Sequence, residues 1–150
     1  MEKIRFKTLE WKFRETGIKY DLVKPSKKVG DSNDVYNIFK NYFLELPNEH
    51  FLTIWLSTVN HIQGFDVVSI GTLNSSVVSP REVFRSAIIA NSANIILAHN
   101  HPSGAVDPSE EDIRITKKLI ECGKIMDIHV HDHIIFGKND YTSLRQRGII

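Results

Sequence analysis

Apolar and polar positions alternate along the N-terminal part of the chain in a pattern that predicts short strands followed by a helix. Over residues 3–13 apolar side chains alternate with polar ones, with one slip typical of a bulge or tight turn, and residues 20–23 resemble another strand. A loop is predicted over residues 24–31. Apolar residues then recur at helical spacing and the helix ends at Pro47; they are Val35, Ile38, Phe39 and Tyr42.

Capping residues indicate where the first two helices begin. Ser32 or Asn33 is predicted to cap the first helix. Ser79 is followed by a proline and, three residues later, by Glu82, which is the spacing of a capping box. This signature predicts a second helix over residues 80–91.

Runs of β-branched, aromatic and leucine residues predict the main strands, which cover residues 51–56, 65–70, 94–98 and 128–136. A polar turn joins the first two, so we expect them to form a hairpin. The third run is apolar from Ile95 to Ala98, as in a strand buried on both faces. A third helix, predicted from Pro108 to Gly123, separates the last two strands.

This order of elements predicts the fold class. Strands interleaved with helices are typical of the α/β (α+β) class, here with one mixed β-sheet flanked by helices. We expect short strands and a loop over residues 1–34 and the main domain over residues 35–150, the two forming effectively one compact domain.

Composition narrows the classes of protein that fit. A chain of 150 residues with 41% apolar content is long enough to bury one core. The single cysteine, Cys122, rules out an internal disulfide and a thiolate-rich zinc site, and favours a reducing compartment. No run approaches the roughly 20 apolar residues of a membrane-spanning helix. We therefore expect a cytoplasmic protein without a membrane partner.

Charge favours a nucleic-acid partner only weakly. The net charge is +1, although residues 1–28 hold nine Lys or Arg against four Asp or Glu. Short basic segments of this kind usually form solvated surface, so DNA binding is kept as an alternative.

The segment with the clearest chemistry leaves the apolar strand 94–98 and enters the third helix. His99 and His101 are two residues apart, so in an extended chain both imidazoles point to one side while Asn100 faces the other. Asp112, in the first turn of the next helix, is placed to return a carboxylate to the same point. Two histidines and one carboxylate leave a fourth position open, as in a catalytic zinc site.

Ser109 lies three residues before Asp112, so both side chains share one face of a helix beside the predicted metal. Ser109 is also an ordinary helix cap, and the two roles are compatible. An iron site with the same two histidines and carboxylate is chemically possible as well.

The complete spacing, His99-x-His101-Pro102, six residues, Ser109, two residues, Asp112, resembles the signature of the JAMM (MPN-plus) metalloproteases. The wider context resembles the bacterial RadC-like branch over roughly residues 35–150, through the segments 78–84, 98–104, 132–133 and 143–148. The resemblance implies a JAB/MPN domain, with a mixed sheet flanked by helices as in cytidine deaminases, and one zinc ion per chain.

Two glutamates compete for the role of general base. Glu82 is explained by the capping box with Ser79, whereas Glu49 precedes a strand and has no such local role. Its position also resembles the place where JAMM proteins carry their catalytic glutamate. The resulting hypothesis is that zinc lowers the pKa of its water, Glu49 takes the proton, and hydroxide attacks an amide carbonyl. Glu49 would then protonate the leaving amine and Ser109 would stabilise the oxyanion.

This hypothesis makes the protein a peptidase or isopeptidase with a peptide or protein substrate. The alternative is a DNA-associated accessory or binding module without hydrolase activity, since RadC-like proteins carry a DNA-repair label. A zinc deaminase is excluded because its signature needs a Cys-x-x-Cys pair.

A rival metal site lies in the last strand, where His129, His131 and His133 alternate and are predicted to face one side. Alternate residues of a strand are about 7 Å apart, so three of them spread along a line rather than surround an ion. A structural or substrate-cleft role is therefore favoured for this group. Only Asp132 and His133 match the RadC-like pattern.

Overall fold

A computed structural model describes residues 28–44, 46–71 and 78–150 of the chain. The strands predicted over 3–13 and 20–23 lie outside the described residues. In chain order the elements are α1 (Ser32–Phe43), β1 (His50–Leu56), β2 (Ile62–Ile70), α2 (Pro80–Ile89), β3 (Asn94–Asn100), α3 (Glu110–Met126), β4 (His129–Phe136) and β5 (Tyr141–Ser143).

The five strands form one sheet in the order β2-β1-β3-β4-β5. Strands β3 and β4 are parallel and are connected by α3, whereas the other neighbours are antiparallel, including the predicted hairpin of β1 and β2. The predicted mixed sheet flanked by helices is therefore confirmed. None of the helices in the described part of the chain is long and apolar enough to cross a membrane.

Two apolar cores lie on opposite faces of this sheet. The first packs α1 against the sheet through Val35, Ile38, Phe39 and Phe43, which meet Leu52, Ile54, Ile96, Ala98 and Ile134. The second packs α2 and α3 through Val83, Phe84, Ala87, Ile115 and Leu119, which meet Phe51, Ile95, Leu97 and Val130. Strand β3 is buried at every position, so successive residues serve alternate cores.

The N-cap of helix α1 lies one residue before the predicted caps. Asp31 is the N-cap, because its backbone is extended and its Oδ1 accepts a hydrogen bond from the Asp34 N–H at 2.9 Å. The prediction of Ser32 or Asn33 was therefore wrong. The helix also ends at Phe43 rather than at Pro47, since Phe43 is the last residue of its buried stripe and the next residue is exposed.

Helix α2 starts where predicted, with Ser79 as N-cap and a proline in the first turn, but the predicted capping box is absent. The Ser79 hydroxyl makes no capping hydrogen bond. The Glu82 carboxylate instead lies 2.9 Å from Arg85, one turn further on, and 3.4 Å from Arg81. These two guanidinium groups draw the carboxylate away from the helix start.

Helix α3 continues three residues beyond Gly123 and ends at Met126, with Asp127 in the left-handed conformation at φ 54°. The predicted end at Gly123 was wrong because this glycine serves packing. A Cβ atom there would lie 3.4 Å from the side chains of Phe84 and Val130 and would overlap the carbonyl of Ile128. The missing side chain thus allows α3 to approach β4 closely.

Candidate metal centre

Three side chains from two elements converge at one end of the sheet. His99 is the second-to-last residue of β3 and His101 follows the strand on the same side, while Asp112 lies in the first turn of α3. The Nε2 atom of His99 lies 3.0 Å from Nε2 of His101 and 3.3 Å from Oδ1 of Asp112. Nε2 of His101 lies 3.5 Å from Oδ2 of Asp112. The structure therefore brings together the three residues that the sequence predicts as ligands.

These distances fit a single metal ion. Ligand atoms that share a tetrahedral zinc at about 2.0–2.1 Å lie about 3.3 Å apart. The two histidine nitrogens lie 3.0 Å apart and each is within 3.5 Å of one carboxylate oxygen of Asp112, and one ligand atom from each residue lies within 4.8 Å of the others. His99 and Asp112 are buried and His101 is partly exposed, so the centre has one side open to solvent. His99, His101 and Asp112 could therefore hold a metal ion and leave a position for water or substrate.

The start of α3 orients the carboxylate. Ser109 is the N-cap and closes a complete capping box with Asp112. Its N–H and its hydroxyl both donate to Oδ2 of Asp112, at 2.7 and 2.6 Å, and its Oγ accepts from the Asp112 N–H at 3.1 Å. The loop before Ser109 lies against Gly137, where a Cβ atom would come within 2.6 Å of Val106 and of the Gly104 carbonyl. A glycine at 137 thus permits the loop that returns Asp112 to the histidines.

The other ring nitrogen of His101 also has a defined partner. Its Nδ1 lies 3.1 Å from the carbonyl oxygen of Ala105. Because a carbonyl only accepts hydrogen bonds, Nδ1 must carry a proton and donate it. Nε2 is then the nitrogen that faces Asp112 and is available to a metal ion, which is the usual arrangement of metal-binding histidines.

Burial and mutual contacts set the protonation of these side chains. Burial, reinforced by His133, lowers the pKa of His99 well below its usual value, so this imidazole is neutral. Burial acts to raise the pKa of Asp112, but hydrogen bonds from His101 and Ser109 and the nearby His99 lower it well below its ordinary range. The hydrogen bond with Asp112 raises the pKa of His101.

Glu49 lies immediately before β1, and the side chain of Asn100 holds the backbone on both sides of it. Oδ1 of Asn100 accepts from the His50 N–H at 2.8 Å, and its Nδ2 donates to the Asn48 carbonyl at 3.1 Å. The charge of Glu49 is one of the lesser causes that raise the pKa of His101. Glu49 is therefore close enough to the centre to interact with it electrostatically. Asn100, the residue between the two histidines, fixes the backbone position of Glu49.

The oxyanion role of Ser109 stays a prediction. Ser109 is the N-cap of α3, as predicted, and its single hydroxyl proton is donated to Asp112 in this structure. Ser109 would have to turn this proton toward a substrate oxygen in order to stabilise an oxyanion.

The histidines of β4 do not share a side, which corrects the predicted alternation. In the β3–β4 pairing, Ile95 faces Val130 but Ile96 faces Asp132, so His131 is the extra residue of a bulge. After the bulge, His133 turns toward His99 and α3. His131 instead lines a cavity on the face covered by α1, and His129 is exposed.

Two buried partners of the centre were not identified as such from the sequence, which favoured only a structural or substrate-cleft role for His133 and its neighbours. His133 Nε2 lies 2.7 Å from Nδ1 of His99, and His133 Nδ1 lies 2.5 Å from Oγ1 of Thr116. The only available signal was the match of Asp132 and His133 to the RadC-like pattern. Thr116 is four residues after Asp112, on the same face of α3, but nothing in the sequence marks it.

Comparison with known proteins identifies the family that the chain resembles. A family model described as "RadC-like JAB domain" matches residues 29–149, which include all three candidate ligands and Glu49. A UPF0758 protein of Methanococcoides burtonii is 48% identical over 126 residues, covering 84% of this chain and 55% of the relative. A UPF0758 protein of Desulforamulus reducens is 51% identical over 117 residues, covering 78% of this chain and 52% of the relative.

A third relative, a UPF0758 protein of Methanosarcina mazei, is 46% identical over 127 residues, covering 85% of this chain and 56% of the relative. The chain thus spans about half the length of the curated relatives it matches. The name UPF0758 states no activity.

Proposed function

This chain belongs to the RadC-like JAB domain family, and from that membership together with its His-His-Asp centre we propose that it is a zinc-dependent hydrolase of amide bonds. The observation that carries the proposal is the convergence of His99, His101 and Asp112 at separations of 3.0 to 3.5 Å. A structural zinc site would have four protein ligands, whereas three ligands with one open side suit catalysis.

Each residue of the proposed machinery has a distinct task. Zinc, when bound, supplies Lewis-acid chemistry and lowers the pKa of water to near neutrality. Glu49 takes a proton from the attacking water and passes it to the leaving amine. Ser109 orients Asp112 and, on turning its hydroxyl, donates to the substrate oxygen as negative charge develops there.

The proposed substrate is a peptide or protein, cleaved at a peptide or isopeptide bond. The partly exposed His101 marks the side from which a substrate would reach the centre. Action in the cytoplasm is part of the proposal and is favoured by the single cysteine, Cys122.

The identity and place of the metal are tested first by anomalous X-ray diffraction across the zinc absorption edge, on crystals of the untagged protein. We expect one peak bounded by His99, His101 and Asp112. An edge at the energy of iron would replace zinc by iron in the proposal. A peak at His129 and His131, or none after zinc is added, would contradict it.

The reaction is tested on a mixture of unstructured peptides whose products are read by mass spectrometry. We expect cleavage by the zinc-loaded protein that a chelator abolishes and added zinc restores. Glu49→Gln should lower the rate by about 10² to 10⁴ and keep zinc bound. Glu121→Gln, which removes an exposed carboxylate of α3 that pairs with Lys124, is the matched control and should keep the rate.

Full activity of Glu49→Gln would remove this residue from the mechanism. Salt-dependent retention on DNA, with no cleavage of any peptide, would instead favour the DNA-associated binding module.

A further inference from the structure

A continuous path of hydrogen bonds joins one candidate ligand to another behind the metal centre. Nδ1 of His99 lies 2.7 Å from Nε2 of His133, and Nδ1 of His133 lies 2.5 Å from Oγ1 of Thr116. Thr116 Oγ1 in turn donates to the backbone carbonyl of Asp112 at 2.5 Å. All four residues are buried, with exposed fractions of 0 to 2%. The path therefore runs from the side chain of His99 to the main chain of Asp112.

The direction of every bond in this path follows from its last acceptor. A carbonyl oxygen cannot donate, so the single hydroxyl proton of Thr116 goes to Asp112. Thr116 Oγ1 must then accept at its other contact, which requires a proton on Nδ1 of His133. Because His133 is completely buried, its uncharged form is favoured, and with the proton on Nδ1 this form has a lone pair on Nε2.

The same logic extends to His99. Since Nε2 of His133 accepts, Nδ1 of His99 must carry the proton and donate it. Nε2 of neutral His99 is therefore unprotonated, and this is the atom that lies 3.0 Å from His101 and 3.3 Å from Asp112. Its lone pair faces the point where a metal ion would lie.

We propose that Thr116 and His133 are positioning residues that hold His99 in the tautomer able to bind a metal ion, before any ion arrives. The inference rests on the metal centre of the proposed function. His101 is oriented by the Ala105 carbonyl within its own loop, whereas His99 is oriented through two side chains from β4 and α3. The docking of α3 on the sheet thus sets both the position of Asp112 and the protonated nitrogen of His99.

Loss of the Thr116 hydroxyl should affect metal binding through His133. Without that acceptor, the proton of His133 is no longer confined to Nδ1. A proton on Nε2 of His133 would point at the N–H of His99. His99 would then rotate or change tautomer, and its Nε2 lone pair would no longer face the metal position. Outer partners of metal-binding histidines typically contribute 10- to 100-fold to metal affinity.

The tautomers are read directly from long-range ¹H–¹⁵N spectra of the imidazoles. In metal-free protein at pH 7.5 we expect His99 and His133 to be neutral, each with its proton on Nδ1. Added zinc should shift Nε2 of His99 and leave the proton on Nδ1. A proton on Nε2 of either histidine in the metal-free wild type would overturn the proposal.

Substitutions of Thr116 test the consequence for affinity, with zinc alone as the titrant in calorimetry. Thr116→Val should weaken zinc binding about tenfold, and Thr116→Ser, which retains the hydroxyl, should stay within about twofold of wild type. The matched control is Thr53→Val, because Thr53 is equally buried and its hydroxyl has no hydrogen-bond partner among the described residues. Zinc affinity should be unchanged there.

A purely structural role of Thr116 would give a different result. Thr116→Val would then lower the melting temperature of the metal-free protein while zinc affinity equalled that of Thr53→Val, and the proposal would be wrong. Should Thr116→Val not fold, Thr116→Ser and the wild-type imidazole spectra still decide.

Failure of the hydrolase hypothesis is separable from failure of this one. Zinc-loaded protein that shows the expected tautomers and the expected Thr116 series but cleaves no peptide keeps the positioning role and loses the proposed reaction. Wild-type protein that cleaves peptides with the opposite tautomers loses only the positioning role.

Discussion

The two ends of the β3–β4 pair carry similar residues but use them differently. At the end where the strands finish, His99, His101 and Asp112 direct their polar atoms at one point. At the opposite end, a cavity of about 330 Å³ is lined by His131, Asp132 and other polar residues. Both ends therefore combine histidine with aspartate, but only the first has the geometry of a metal site.

The difference lies in where the polar atoms find partners. His131 Nε2 donates to the side chain of Asn60 at 3.1 Å, and its backbone carbonyl accepts from Arg145. Asp132 accepts from the Ser143 hydroxyl at 2.6 Å and from the Arg145 N–H at 3.1 Å. These groups satisfy one another locally. Convergence at the metal centre needs a carboxylate from a second element, which the first turn of α3 supplies.

Removal of one histidine at each end should give the largest contrast. His101→Ala deletes a candidate ligand that is partly exposed, so the fold should survive while zinc affinity falls more than about 100-fold, beyond the loss expected from an outer partner. His131→Ala should keep zinc affinity within about twofold. Calorimetric titration with zinc measures both, and equal losses would show that the two ends had been assigned wrongly.

The pH dependence of stability should distinguish the two histidines of β4. Burial lowers the pKa of His133 to about 4 in the metal-free protein. A lowered folded-state pKa contributes stability that is present above the unfolded value near 6.5 and is lost as pH falls toward 4. From pH 7.5 to 5 this loss is about 2 kcal/mol.

Urea unfolding of metal-free protein at pH 7.5 and 5 checks this loss. His133→Asn should lose about 2 kcal/mol less than wild type over this interval. The variant must be compared with wild type because the raised pKa of His101 increases the stability of both proteins as the pH falls, which opposes the effect of His133. His131→Asn should have a smaller effect on the loss of unfolding free energy between pH 7.5 and 5, since His131 is only half-buried. Equal effects at the two positions would contradict the assignment.

Asparagines at the two ends should have separable roles. Asn100→Ala removes both bonds that bracket Glu49, so the rate of peptide cleavage should fall about tenfold, within the range that misplacement of a general base allows. Zinc binding should persist, because the ligands are retained. Asn60→Ala should cost about 1 kcal/mol of unfolding free energy, since Asn60 has φ 61°, and leave the cleavage rate unchanged. A cleavage rate unaffected by Asn100→Ala would remove its positioning role.

The smallest effect is expected at the surface of the loop before α3. Arg147 pairs with Asp107 at 2.9 Å, but both side chains are largely exposed. Arg147→Ala should change the unfolding free energy by less than about 0.5 kcal/mol and leave zinc affinity unchanged. A large loss of zinc affinity would show that this ion pair, rather than packing on Gly137, holds the loop.

Local spacing accounts for the parts of the site that could be predicted. His99 and His101 are two residues apart in an extended segment, and Ser109 and Asp112 are three apart at a helix start, so both pairs share a side in any structure that contains those elements. The boundaries of α1 and α3 were less predictable. Asp31 competes with its neighbours as a cap, and Gly123 meets a packing need that only the approach of β4 reveals.

The sequence by itself determined the fold class, the order of the main elements and the candidate ligands, because these depend on short-range periodicity and on residue chemistry. Only the tertiary structure decided that a bulge at His131 turns His133 toward His99, that Thr116 meets His133, and that Asn100 holds the backbone beside Glu49. Each of these contacts joins elements distant in sequence. Strand register and helix docking bring them together, and both are set by the packing of the two cores rather than by any local pattern.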